Sequence, residues 1–99
     1  MNQRRKDEFE IILPSSGRGR KELELLHRRR KKQVDKALSR LRKNPTDYTV
    51  KGIGKVNEHN LGEYTIRVSK GDRIYYDVDR KNKRVLLLRA GKHDLYRLL

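Results

Sequence analysis

The chain has 99 residues, 40% of them charged, with 27 Lys+Arg against 13 Asp+Glu and a formal net charge of +14. That length makes one domain, and 33% hydrophobic residues leave it only a thin core. The absence of cysteine excludes disulfides and cysteine-based zinc sites. His27, His59 and His93 lack metal-ligand spacing, so no metal and no cofactor is expected. No apolar run approaches the ~20 residues that span a bilayer, and the polar start, Met1-Asn2-Gln3-Arg4-Arg5, has no signal-peptide core. A cytoplasmic protein with no membrane association is the expectation. So large a positive field favours a polyanionic partner: nucleic acid, an anionic membrane surface or an acidic protein.

Residues 1–8 read as a charged lead-in and residues 9–99 as the domain. Phe9-Glu10-Ile11-Ile12-Leu13 is a strand, ended by Pro14 and the turn cluster Ser15-Ser16-Gly17. Ser16 or Gly17 opens a helical region that runs over residues 18–43. Leu23 and Leu26 share one face, and Val34, Ala37, Leu38 and Leu41 repeat the amphipathic spacing. Residues 27–33 contain no apolar side chain, so a single straight helix would expose both faces there. A helical hairpin broken near this run is expected. Asn44-Pro45 stops the second helix, because proline disfavours a helical residue before it. Residues 46–60 read mostly as loop, with a short extended piece at 49–53.

Alternation then signals strands. Tyr64, Ile66 and Val68 alternate with Thr65, Arg67 and Ser69; Ile74, Tyr76 and Val78 alternate with Arg73, Tyr75 and Asp77. A one-residue slip flips every side chain to the other face. A three-residue loop, Lys70-Gly71-Asp72, pairs Val68 with Ile74, Ile66 with Tyr76 and Tyr64 with Val78, and sets Arg67, Ser69, Arg73 and Tyr75 on one polar face. Residues 80–84 turn the chain into a last strand at 85–89. Its Leu86-Leu87-Leu88 run does not define its own register. If Leu86 and Leu88 face the core, Arg89 joins Arg67 and Arg73. The expected class is α+β: an N-terminal strand, a helical hairpin and a three-stranded antiparallel sheet.

This order of elements resembles the RelE/ParE superfamily of toxins from type II toxin–antitoxin pairs. The likeness rests on Asn44-Pro45 with Val50-Lys51-Gly52, on Leu61-Gly62-Glu63-Tyr64-Thr65-Ile66-Arg67-Val68, on Asp72-Arg73-Ile74-Tyr75-Tyr76-Asp77-Val78, and on Gly91-Lys92-His93-Asp94-Leu95-Tyr96. In the RelE-like branch a basic strand residue matches Arg67 and the arginine opening the next strand matches Arg73. A basic or histidine residue after the last strand matches His93, and a C-terminal aromatic matches Tyr96. The resemblance implies an endoribonuclease that cleaves mRNA in the ribosomal A site and a cognate acidic antitoxin that neutralises it. The gyrase-poisoning ParE branch shares the fold but usually lacks this polar set.

Metal-free RNA cleavage uses the ribose 2′-OH as nucleophile. It needs a group that takes that proton, a group that protonates the leaving oxygen, and cations on the phosphorane. Histidine titrates near ~6.5 and suits either proton step; arginine's planar fork suits the phosphate. His93 is the candidate acid or base, and Arg67 and Arg73 the candidate phosphate ligands. Tyr96 can stack on a base, donate a proton or simply cap the core. Glu58 and Glu63 are the nearest carboxylates for a general base. Arg28, Arg29 and Arg30, with Arg89 and Lys92, are candidate RNA contacts, although a basic run such as 28–32 is most often a solvated face. Two other functions fit the charge: a ParE-like topoisomerase inhibitor and a non-catalytic basic nucleic-acid-binding module.

Overall fold

The computed structural model describes residues 8–50, 52–56 and 62–92. Among them the elements run β1 (Glu10–Ile12), α1 (Gly17–Arg29), α2 (Lys31–Lys43), β2 (Ile53–Lys55), β3 (Tyr64–Arg67), β4 (Asp72–Asp79) and β5 (Arg84–Lys92). These strands form one sheet in the order β1-β5-β4-β3-β2. β1 lies parallel to β5, and the other pairings are antiparallel. No helix among the described residues is long and apolar enough to cross a membrane.

The helical hairpin forms as its pattern demands. Ser16 has the extended backbone of an N-cap, and its Oγ accepts from the Gly19 N–H at 2.9 Å. Leu23 and Leu26 are buried on α1, and Val34, Ala37 and Leu41 on α2. The break falls at Arg30, whose backbone (φ −134°, ψ 49°) belongs to neither helix. Asn44 ends α2 and buried Pro45 follows. The core joins these side chains to Ile53, Tyr64, Ile66, Val68, Ile74, Tyr76, Val85, Leu87 and Ala90 on one face of the sheet. Tyr64 and Tyr76 stack with ring centroids 5.6 Å apart, and the fully buried Tyr76 hydroxyl donates to the Pro45 carbonyl at 2.7 Å. Burial, reinforced by the neighbouring Tyr64 and Tyr48 phenols, pushes the Tyr76 pKa well above its ordinary value.

The sheet differs from the sequence expectation in three ways. First, the three-stranded antiparallel core gains a strand at each edge. β1 pairs with β5 across a long crossover, a partner that local pattern does not name. β2 begins at Ile53, where the expected extended piece ends. Asp47 is the reason: its Oδ1 accepts from both the Thr49 N–H and hydroxyl and folds residues 47–49 into a turn.

Second, the β3–β4 register is Tyr64↔Tyr76, Ile66↔Ile74 and Arg67↔Arg73, two residues from the expected one. A shift of two preserves both faces, so the burial argument could not detect it. The turn itself decides. The Asp72 carbonyl accepts from Val68 N–H at 2.9 Å, and the Ser69 hydroxyl donates to the Asp72 carboxylate at 2.8 Å, drawing Asp72 out of the loop and into β4.

Third, a bulge in β5 changes the leucine run. Tyr76 pairs with Leu87 and Tyr75 with Arg89, leaving Leu88 as the extra residue. Val85, Leu87 and Ala90 therefore enter the core, not the pair Leu86 and Leu88.

Candidate nucleic-acid interface

Arg67 and Arg73 lie on the sheet face opposite the core isoleucines, because each neighbours one along its strand (Ile66, Ile74) and side chains alternate, and Arg67, at the end of β3, also borders α2 across a groove. They stand directly opposite each other in the β3–β4 ladder. Like charges in that relation repel. Arg67 is exposed, Arg73 is half-buried, and neither forms an ion pair with any carboxylate among the described residues. On its other side Arg73 faces Gly91, where no described atom lies within 4 Å of an added Cβ. Gly52 packs against Arg67. Its φ of +94° and an added Cβ only 3.2 Å from Arg67 Cβ leave no room for another residue. The Gly52 carbonyl accepts from the Arg67 N–H at 2.9 Å and so anchors that end of β3. Two guanidinium groups held on one sheet face, with no carboxylate paired to them among the described residues, can grip a phosphate.

The other candidate residues are placed differently. Arg28 pairs with Glu24 one helical turn away at 3.1 Å. Arg29 and Arg30 reach Asp72 at 3.4 and 3.8 Å. The Asp72 side chain is only 7% exposed, so these two arginines tie the helical break to the turn that delivers Arg73. Arg89 does not join Arg67 and Arg73. Its Nε and Nη2 donate to the Glu22 carboxylate at 2.6 and 2.7 Å, and the side chain is 12% exposed. Burial alone would raise the Glu22 carboxyl pKa. The Arg89 hydrogen bonds, then the Ala90 N–H, outweigh burial and hold it below the ordinary value. Glu22 in turn raises the Arg89 pKa, chiefly through the same hydrogen bonds. Lys92 is exposed and pairs with Asp72 in the ladder, one position beyond the Arg73↔Gly91 pair. His93 follows it in the chain, but His93 and Tyr96 lie outside the described residues, as do His59 and Glu58.

Glu63 sits at the far end of β3 from Arg67. Four residue steps separate them, about 13 Å at the usual strand rise, so its carboxylate is poorly placed to serve that pair. Tyr75 shares the face of Arg67 and Arg73 but is only 2% exposed, with its hydroxyl directed to the Lys92 carbonyl at 3.5 Å. It is a support for this face, not a stacking platform. His27 bridges the two helices through Asp35 at 2.9 Å. Among the described residues no group of three His, Asp or Glu side chains is gathered as metal ligands.

Sequence reasoning missed Asp72 and Glu22, whose roles depend on partners 43 and 67 residues away. It also missed a basic groove of about 360 Å³ beside Arg67, lined by Lys36 and Arg40 of α2 and by Lys70. The i, i+4 spacing of Lys36 and Arg40 was the available signal.

No protein-family model and no curated protein sequence matches this chain. Solved structures do. A chain of the toxin–antitoxin complex RelBE2 from Mycobacterium tuberculosis superposes with a TM-score of 0.63 at 18% identity, over 87% of this chain and 99% of that one. A chain of the YoeB-YefM complex from Staphylococcus aureus gives 0.58 at 19% identity, over 86% and 97%. The fold is therefore that of the RelE-like toxins. At this identity the likeness is one of fold, and the chemistry rests on the residues themselves.

Proposed function

We propose that this protein is the toxin of a type II toxin–antitoxin pair and acts as a ribosome-dependent, metal-independent mRNA endonuclease. The observation that carries this reading is the Arg67–Arg73 pair: two cations opposite each other on one sheet face, unpaired with any carboxylate among the described residues, in a RelE-like fold. Repulsion between them is relieved by an anion that bridges both, and a pentacovalent phosphorane carries more charge than the ground-state phosphodiester. Stabilisation therefore grows toward the transition state, which is what catalysis requires. One such donor contributes roughly 3–4 kcal/mol.

His93 directly follows β5, whose Gly91 pairs with Arg73, and is the proposed proton-transfer group, with Tyr96 stacking on a base or donating a proton. The 2′-oxygen bonds to phosphorus as its proton is taken. The P–O5′ bond breaks, and the leaving oxygen receives a proton. The products carry a 2′,3′-cyclic phosphate and a 5′-OH. An acidic antitoxin would cover the same basic face.

The test is in vitro translation with added protein, read by primer extension on the mRNA. Ribosome-dependent cuts at fixed codon positions, 5′-OH ends, and loss of cleavage in folded Arg73→Ala and His93→Ala support the reading. Metal-dependent cleavage, 5′-phosphate ends, or blocked DNA supercoiling with normal translation overturn it, the last in favour of a topoisomerase inhibitor.

A further inference from the structure

We propose that the groove between α2 and the end of β3 is a phosphodiester-binding track that carries the RNA backbone onward from the Arg67–Arg73 pair. This rests on the endonuclease reading and adds a second contact surface on the other side of Arg67. The groove holds about 360 Å³ and is lined by Lys36, Arg40, Gln33, Arg67, Lys70 and Ser69. Each ionisable side chain in that lining is a cation. Of the carboxylates nearest in sequence, Asp35 is engaged by His27 across the hairpin, and Asp72 is buried and engaged by Ser69, Arg29 and Arg30. Lys36 and Lys70 form no ion pair among the described residues, unlike Arg28, Arg84 and Arg89. Lys36 and Arg40 are one helical turn apart on α2, so their side chains lie on the same face.

Chemistry favours a nucleic-acid backbone over an acidic peptide. Among the described residues the groove offers Val68 as its sole aliphatic side chain, and Val68 is 8% exposed. A docked peptide needs apolar anchors, and those lie on the opposite flank of the hairpin, in a separate groove of about 450 Å³ that includes Leu13, Pro14, Leu23 and Leu38. A repeating phosphate chain needs only charge and donors at intervals, which Lys36, Arg40, Arg67 and Lys70 supply, with the Gln33 amide for a sugar hydroxyl.

The experiment measures binding of the full chain to a single-stranded oligouridine of about 12 nucleotides by fluorescence anisotropy over a range of salt. For single-stranded nucleic acid each phosphate contact contributes about 0.7 to the log–log salt slope. Lys36→Ala/Lys70→Ala should flatten that slope by about 1.4, whereas a control with two exposed helical lysines removed, Lys21→Ala/Lys31→Ala, should leave it within about 0.3. Circular dichroism confirms that both variants fold. A slope unchanged in Lys36→Ala/Lys70→Ala overturns the track, as does equal flattening in the control, which would mean diffuse attraction. A poly-glutamate peptide whose binding is weakened by Lys36→Ala/Lys70→Ala while RNA binding is not would assign the groove to protein. The endonuclease reading is judged separately by ribosome-dependent cleavage. Cleavage with an unchanged slope sinks the track alone; a flattened slope without cleavage by the parent chain sinks the endonuclease reading alone.

Discussion

Arg89→Ala should cost stability and not RNA contact. The substitution deletes both short hydrogen bonds to Glu22, made at 2.6 and 2.7 Å between side chains 12% and 21% exposed. An exposed pair is worth up to about 1 kcal/mol, and breaking a buried one costs about 3–5. Among the described residues Glu22 would keep only the Ala90 N–H at 3.3 Å and Arg18 at 4.0 Å. The intermediate burial places the expected loss at about 2–3 kcal/mol, with a fall in Tm of roughly 4–8 °C for each kcal/mol. Because the folded Glu22 carboxyl lies below its ordinary value of 4.5, this stabilisation is complete above that pH and is lost as pH falls through the folded value. Parent and variant should therefore converge in acid. Urea unfolding followed by circular dichroism, across pH, measures this; a cycle with Glu22→Gln should show a coupling of about 1–3 kcal/mol. A variant as stable as the parent at neutral pH but unable to bind RNA would refute the reasoning and return Arg89 to the binding surface.

Four further outcomes are expected. Gly17→Ala should stabilise by about 0.4–1 kcal/mol, since nothing lies within 4 Å of its added Cβ. Gly19→Ala should destabilise by about 1–3 kcal/mol despite better helix propensity: its Cβ would overlap the Leu88 carbonyl and lie 2.9 Å from Pro14 Cβ. Thermal denaturation separates the two by sign. Asp72→Ala should cost about 1–2 kcal/mol, yet lower the cleavage rate of the folded protein more than stability alone explains, because it unties the turn before Arg73 from Arg29 and Arg30; equal cleavage by folded parent and variant would remove that positioning role. Tyr76→Phe should lose about 1–3 kcal/mol in urea unfolding, since it leaves the buried Pro45 carbonyl without its 2.7 Å donor.

The elements with strong local patterns were legible in the chain. The Ser16 cap, the two helical stripes, the break within 27–33 and the stop at Asn44-Pro45 each follow from side chains within a few residues of one another. So does the side of the sheet on which Arg67 and Arg73 lie, because alternation fixes a face whatever the loop length. Register is another matter. Two registers that differ by two residues bury the same side chains, and the Ser69–Asp72 turn bonds choose between them. The bulge at Leu88, the parallel seat of β1 and the withdrawal of Arg89 into a pair with Glu22 arise from contacts far apart in sequence. A run of basic residues declares its charge but not its partners. Tertiary structure alone decided which cations already meet a carboxylate, as Arg28 and Arg89 do singly and Arg29 and Arg30 do by sharing Asp72. It also decided which, like Arg67 and Arg73, meet no carboxylate among the described residues, because a carboxylate cancels a cation only when the fold brings the two within a few ångströms.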